Sequence, residues 1–202
     1  MRQNNRNGIR KITKRTTPSH GYYHIILRPA PPGKTLLISN GERAYVVALL
    51  QDALSPRFAL SDGNSGLSSY VDLLAFSLTR TEVHLLVFAI DKVAVRYLAA
   101  ILSHRLTIYT NETKVQHYTS PRSPVSLSIT KLRGAHHALR ASAAIHLRHP
   151  NWEYDRYSSI GFYLHDRRGD WMRIWRLTKL YDNNSVHYRQ FIEHHALLSP
   201  HG

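Results

Sequence analysis

The prediction of the fold starts from the stretch Glu82-Val83-His84-Leu85-Leu86-Val87-Phe88-Ala89-Ile90, in which the residues from Leu85 to Ile90 form one continuous apolar run. This composition predicts a buried strand. Side chains at positions i and i+2 of a strand share a face, so Glu82 and His84 are predicted to point to one site. Such a pair is either a metal half-site or acid/base pair, or a polar pair at a sheet edge with no chemistry.

Outward from this strand, period-2 and helical apolar patterns alternate along the chain. Strands are predicted at 21–28, 70–79 and 82–90, helices at 42–54, 93–109, 132–148 and 185–195, and shorter elements at 157–163 and 172–180. Segment 119–128 contains Pro121 and Pro124 and is predicted to be a loop. The order of elements predicts an α+β fold, an antiparallel sheet with helices packed on one face.

Three parts are predicted along the chain. They are a basic flexible arm at 1–16, an α+β domain at 17–150, and a C-terminal extension at 151–202 that packs on the domain.

Positive charge is in large excess, with 27 Lys and Arg against 13 Asp and Glu and a formal net charge of +14. Such a surface attracts polyanions, so nucleic acid is the expected partner. A basic protein without such a ligand is the alternative. The candidate phosphate-binding residues are Arg2, Arg6, Arg10, Lys11, Lys14 and Arg15 in the arm, and Arg133, Arg140, Arg148, Arg167 and Arg168 further along.

Three tryptophans, Trp152, Trp171 and Trp175, lie among the arginines of the C-terminal third. Basic residues interleaved with aromatic ones are typical of surfaces that track a phosphate backbone and stack on bases. The same tryptophans equally fit a hydrophobic core, and both interpretations stay open at this point.

Several classes of function are disfavoured by composition. The chain has no cysteine, which excludes disulfides, thiolate zinc sites and thiol nucleophiles. It has no long apolar run, so no membrane partner is expected. The first residues are polar and basic and lack the apolar core of a signal peptide, which predicts a cytoplasmic, nucleoid-associated protein.

The motif 79–87, Thr-Arg-Thr-Glu-Val-His-Leu-Leu-Val, resembles the signature strand of the single-tyrosine HUH transposases, the IS200-like enzymes and their REP-associated relatives. Three further segments resemble that family in the same order. They are the opening strand at 17–25, the segment 142–150 that ends in His-Pro, and the Tyr-Ser-Ser segment at 157–164. The resemblance covers roughly residues 15–195. It implies a ferredoxin-like sheet, recognition of DNA hairpins or single strands, and a homodimer.

The resemblance also implies where a metal and a nucleophilic tyrosine would lie, and the chain departs from the family at these positions. The first metal-binding histidine is replaced by Glu82, and His84 is kept. The tyrosine position falls on Ile145 and the last metal-ligand position on His149. Isoleucine has no nucleophilic atom, so the covalent step of the family cannot occur at Ile145.

The sequence therefore predicts a nucleic-acid-binding protein that does not cleave through a tyrosine and requires no cofactor. Its ligand would be hairpin or single-stranded DNA, or structured RNA. One alternative is a metal-dependent single-strand nuclease, in which Glu82, His84 and His149 bind Mg²⁺ or Mn²⁺ and another group is the nucleophile. A second alternative is an accessory subunit that holds a protein partner in a nucleoprotein complex.

Overall fold

The computed structural model describes residues 20–31, 34–55, 66–112 and 125–198. Within them, a four-stranded antiparallel sheet has the strand order β2-β3-β1-β4. The strands are β1 (Gly21–Pro29), β2 (Val71–Leu78), β3 (Val83–Ala89) and β4 (Val125–Lys131). The predicted basic arm at 1–16 lies outside the described residues.

Six α-helices pack around this sheet. They are α1 (Asn40–Leu54), α2 (Lys92–Glu112), α3 (Ala135–His146), α4 (Ile160–Leu164), α5 (Trp175–Thr178) and α6 (Ser185–Leu198). Within the part of the chain that the structure describes, three short 3₁₀ turns are also present, Leu67–Ser69, Trp152–Tyr154 and Lys179–Tyr181. None of the described helices combines the length and the apolar character needed to cross a membrane.

The predicted α+β class with an antiparallel sheet is confirmed. The helices surround the sheet instead of covering a single face, because consecutive residues of β3 are buried on both sides. His84, Leu85, Leu86 and Val87 all have 0% exposure. Strand β3 is therefore an interior strand, and His84 does not lie at a sheet edge.

The predicted loop at 119–128 is wrong over Val125–Ser128, which belong to β4. This strand pairs with β1, with Ile129 opposite Ile25 and Leu127 opposite Leu27. The alternation of Val125, Leu127 and Ile129 with hydroxyl residues is typical of a strand. The sequence-based prediction gave more weight to the nearby prolines and therefore assigned a loop.

The C-terminal residues cover the outer edge of β2. Ser158 forms an isolated bridge with Ser77, and Met172 forms one with Leu73. Ser159 Oγ accepts a hydrogen bond of 2.8 Å from the Phe76 amide. These contacts leave β4 as the other terminal strand of the sheet among the described residues.

Helix α3 ends at His146, two residues before the predicted end at Arg148. Residues 147–150 then form a turn that leads to Trp152–Tyr154. This difference matters for the site, because Arg148 and His149 lie in the turn and not in the helix, and their side chains contact different residues.

Candidate nucleic-acid interface

Glu82 and His84 point to the same site, as their spacing predicts. His84 Nε2 and Glu82 Oε2 are 2.7 Å apart. Glu82 precedes β3, where its side chain keeps 20% exposure, while that of His84 is fully buried. The pair thus joins the interior of the sheet to its surface.

A second histidine, His24 of β1, extends this pair. His24 Nε2 lies 3.1 Å from His84 Nδ1, and the ring centroids are 5.3 Å apart. The two nitrogens therefore lie between the rings and face each other, as in a hydrogen bond. Since a neutral His84 donates its Nε2–H to the Glu82 carboxylate, its Nδ1 is an acceptor and His24 Nε2–H donates to it.

Two arginines surround the carboxylate at the outer end of this chain. Arg28 Nε is 2.8 Å from Glu82 Oε1, and Arg148 Nη1 donates to Oε2 at 2.9 Å. The two arginine side chains are 43% and 42% exposed. A single carboxylate between two cations leaves this cluster with net positive charge facing solvent.

Burial and the two arginines keep the histidines of this cluster neutral. Burial, opposed by the Glu82 hydrogen bond and assisted by the Arg148 charge, lowers the pKa of His84 to about 4. Burial and the charges of Arg148 and Arg28 also lower the pKa of His24. For Glu82, burial raises the pKa, but the His84 hydrogen bond and the two arginine charges outweigh it and the net shift is downward.

The predicted ligand set of Glu82, His84 and His149 is not assembled. His149 Nδ1 accepts a hydrogen bond of 3.3 Å from the Asn151 amide, and its neighbour Arg148 occupies the outer side of Glu82 instead. Among residues 20–31, 34–55, 66–112 and 125–198, no group of three or more His, Cys, Asp or Glu side chains is arranged to hold a metal ion. Metal binding therefore stays an untested prediction.

Ile145, at the position where the resemblance places a tyrosine, lies in the core with 1% exposure. The next residue, His146, is fully buried and belongs to a separate polar network. Its Nδ1 is 2.8 Å from the Tyr188 hydroxyl and its Nε2 is 2.7 Å from Ser159 Oγ. Burial lowers the pKa of His146 to about 3, so its ring is neutral. The network connects α3, α6 and Ser159, which lies beside β2, inside the protein.

The face of the sheet that carries His24 is half open at β1 and β4. Tyr22, His24, Ile26 and Arg28 alternate along β1 and are half-buried. Their β4 partners on that face, Thr130, Ser128 and Ser126, are exposed. We call this surface the open strip; it is polar, bordered by arginine, and accessible from outside.

At the other end of the same face lies an aromatic–cation patch, which consists of Tyr22, Phe88, Trp175, Arg176 and Lys179. Tyr22 meets Phe88 edge to face at 5.2 Å. Arg176 Cζ lies 3.9 Å from the Phe88 ring centroid and 4.6 Å from that of Trp175. Arg176 is fixed from behind by Asp72 at 2.5 Å, so the rings and the cation are preorganised.

The three tryptophans divide between core and surface. Trp171 is buried with 4% exposure, and Trp152 packs partly buried against the core. Trp175 is 51% exposed, and Lys179 Nζ lies 5.5 Å from its ring centroid. Trp171 and Trp152 thus belong to the core or pack against it, while Trp175 lies at the surface, where base stacking stays a prediction.

The remaining predicted phosphate-binding residues are either exposed on the surface or lie outside the described residues. The side chains of Arg133, Arg140, Arg167 and Arg168 are exposed. Arg167 rests on the Phe162 ring with Cζ 4.9 Å from the centroid. The six cations of the arm, Arg2, Arg6, Arg10, Lys11, Lys14 and Arg15, lie outside the described residues.

Sequence reasoning did not assign a role in this site to His24 or Arg28, and it included Arg176 only as one of the arginines of the C-terminal third. A signal for the first two exists, since His24 and Arg28 are four residues apart in a strand and therefore share a face. Their proximity to Glu82 needs the strand pairing of β1 with β3, and that of Arg176 to Phe88 needs the fold of the C-terminal residues. No local sequence pattern predicts these contacts.

No protein-family model matches the chain, and no curated protein matches it.

Proposed function

We propose that this chain binds nucleic acid on the sheet face that carries the open strip and the aromatic–cation patch. The observation that carries the proposal is that one exposed aromatic ring, Trp175, two half-buried rings, Tyr22 and Phe88, and several arginine side chains share one face of the sheet. The expected ligands are DNA hairpins or single strands, or structured RNA.

The two components of this surface suit the two parts of a nucleic-acid strand. Arginine and lysine side chains provide charge-assisted contacts to phosphate oxygens, which supply affinity and position. Exposed rings such as Trp175 provide stacking surfaces for unpaired bases. The resemblance to the single-tyrosine transposases supports the proposal, because that family recognises hairpins and single strands.

Tyrosine-dependent strand cleavage is not part of this proposal. Ile145 lacks a nucleophilic atom, and its side chain lies in the core. Glu82, at the other departure from the family pattern, is enclosed by Arg28 and Arg148. Both departures support a protein that holds nucleic acid without forming a covalent link to it.

The salt dependence of binding tests the proposal. A fluorescently labelled DNA hairpin with a single-stranded end is titrated with protein at several salt concentrations. Since each phosphate contact contributes a slope of about −0.9 in log K against log salt, a surface with several contacts gives a steep line. A flat line, or the absence of binding, contradicts the proposal.

A matched pair of variants locates the binding face. Lys179→Ala removes a cation of the aromatic–cation patch, and Lys92→Ala removes one from the start of α2 with the same change in net charge. We expect Lys179→Ala to weaken binding and make the slope shallower by about 1, and Lys92→Ala to change neither. Equal effects of the two variants would show that only net charge matters.

A metal-dependent nuclease is the enzymatic alternative, and one assay separates it from binding alone. Incubation of the protein with labelled hairpin and Mg²⁺ or Mn²⁺ is expected to return the substrate intact. A shortened product that Glu82→Ala and His84→Ala abolish, or a covalent adduct that survives denaturant, would establish the alternative.

We further propose a homodimer as the binding unit in a cytoplasmic, nucleoid-associated setting, with a protein partner in a nucleoprotein complex as the alternative. The terminal strand β4 supports self-association, because Leu127 on it is 43% exposed. Sedimentation of the free protein and copurification with and without nuclease treatment test these two states.

A further inference from the structure

A groove separate from the open strip lies between the start of α1 and the turn after α3. It has a volume of about 330 Å³. Its lining residues are Asn40, Arg43, His149, Asn151, Tyr154, Asp155, Arg156 and Tyr157. This volume falls within the range of small-molecule sites, at its lower end.

The groove presents two guanidinium groups held by one ring. Arg43 Cζ lies 4.4 Å and Arg156 Cζ 4.8 Å from the centroid of the Tyr157 ring, which is almost fully buried. Arginines stacked on an aromatic ring keep N–H groups in the plane of the guanidinium for hydrogen bonds to phosphate oxygens. The acid of the groove, Asp155, accepts the Tyr157 amide hydrogen bond at 2.9 Å, which engages one of its oxygens within the local turn.

The groove also contains an exposed stacking surface. Tyr154 is 77% exposed, the highest value among the exposed aromatic side chains of the described residues. One face of its ring stacks on His165, with centroids 5.5 Å apart and planes 17° apart. That support fixes the ring, and its large exposure leaves area for a second planar group.

We propose that this groove holds one unpaired nucleotide of a bound hairpin. The base stacks on Tyr154, and Arg43 and Arg156 bind the adjacent phosphate. Asn40 Oδ1 accepts a hydrogen bond from Arg43 Nη2, so the Asn40 NH₂ group and the Asn151 amide are the groups that can hydrogen-bond to a base edge. The inference rests on the proposed function and deepens it, because it states which part of the nucleic acid is recognised and where.

Three hairpin probes with the same stem test this site on the full chain. The first is fully paired, the second carries one unpaired nucleotide, and the third carries an abasic residue at that position. We expect the unpaired base to improve binding over the abasic probe about 5- to 150-fold, the value of one base–aromatic stack. Tyr154→Ala is expected to remove this preference, and Tyr154→Phe to keep it.

Tyr97→Ala is the matched control, because Tyr97 is 57% exposed on α2, away from the groove residues. It should leave the preference intact. Arg156→Ala is expected to weaken the unpaired and abasic probes by the same factor, since both retain the phosphate. Thermal melting of each variant verifies that it is folded.

The outcomes separate the two proposals. Equal binding of all three probes by the unchanged protein, or an unchanged preference in Tyr154→Ala, overturns the groove proposal and leaves nucleic-acid binding in place. Equal weakening of all probes by Tyr154→Ala also overturns it. If none of the probes binds, the proposed function and the groove proposal both fail.

Discussion

His84 and His146 are both fully buried and both use their two ring nitrogens in hydrogen bonds, but their surroundings differ. His146 contacts the hydroxyl groups of Tyr188 and Ser159 inside the protein. His84 connects His24 to a carboxylate that two half-exposed arginines contact from outside. The first network joins elements of the interior, and the second ends at the surface proposed to bind nucleic acid.

Burial and hydrogen bonding alone therefore do not distinguish a histidine that only joins interior elements from one whose network reaches the surface. The two histidines differ in what their hydrogen-bond partners contact in turn. Tyr188 is itself buried at 0% exposure, so changes at His146 should affect stability. Changes at Glu82 should affect the charge that a ligand meets.

The largest effect is expected for His146→Ala. The substitution leaves a cavity and removes one hydrogen-bond partner from each of two buried hydroxyl groups, so the free energy of unfolding should fall by about 3–5 kcal/mol. Urea denaturation followed by circular dichroism measures it. His149 lies three residues away and is half-buried. For His149→Ala, the free energy of unfolding should stay within about 0.5 kcal/mol of the wild-type value. A loss below about 1 kcal/mol for His146→Ala would contradict the structural role.

The second effect is the dependence of stability on pH. The pKa of His84 is about 4 and that of His146 about 3 in the folded protein, both below the ordinary value of 6.5. The unfolded chain therefore binds more protons below pH 6.5. The stability that these two histidines contribute is fully present above pH 6.5. It is lost progressively as the pH falls toward their pKa values in the folded protein.

Urea midpoints measured at neutral pH and at about pH 5 test this dependence. The wild type should lose stability across the interval, and His146→Gln should lose less, because one of the contributing groups is gone. A wild-type midpoint that rises on acidification would show that these histidines are protonated in the folded protein.

The third and smallest effect is expected for Glu82→Gln. Without the carboxylate charge, Arg28 and Arg148 become available to phosphate, so binding of a hairpin should tighten about 2- to 10-fold at low salt. The salt slope should steepen by up to about 1 for each cation released. Fluorescence anisotropy at several salt concentrations measures both quantities.

Glu193→Gln on α6 is the matched control, because it makes the same change in net charge away from the sheet face. It should leave the slope unchanged. Weaker binding by Glu82→Gln, or a metal requirement that the variant loses, would indicate that Glu82 is a ligand-binding group instead of a competitor for the arginines.

Much of the fold is encoded in local pattern. The observed strands β2 and β3 and the helix α2 lie within about three residues of their predicted ends, because long apolar runs and helical spacing are strong local signals. Strand β4 was missed because proline density in 119–128 favours a loop, although the alternation at 125–129 indicates a strand.

The candidate site was predictable only in part. The shared face of Glu82 and His84 follows from their spacing. The end of α3 determines that Arg148, and not His149, reaches Glu82, and helix ends are set by packing as much as by sequence. The groove depends on residues 40–43 meeting residues 149–157, a contact between distant segments that no local pattern contains.

The cover that the C-terminal residues form over β2 has a consequence for synthesis on the ribosome. Phe76 and Ser159 are 83 positions apart, so β2 emerges long before the residues that complete its outer edge. Until then an apolar strand presents unpaired backbone amides, the kind of edge through which nascent chains associate wrongly. A chain truncated before residue 158 should therefore aggregate, and the native arrangement is reached only late in translation.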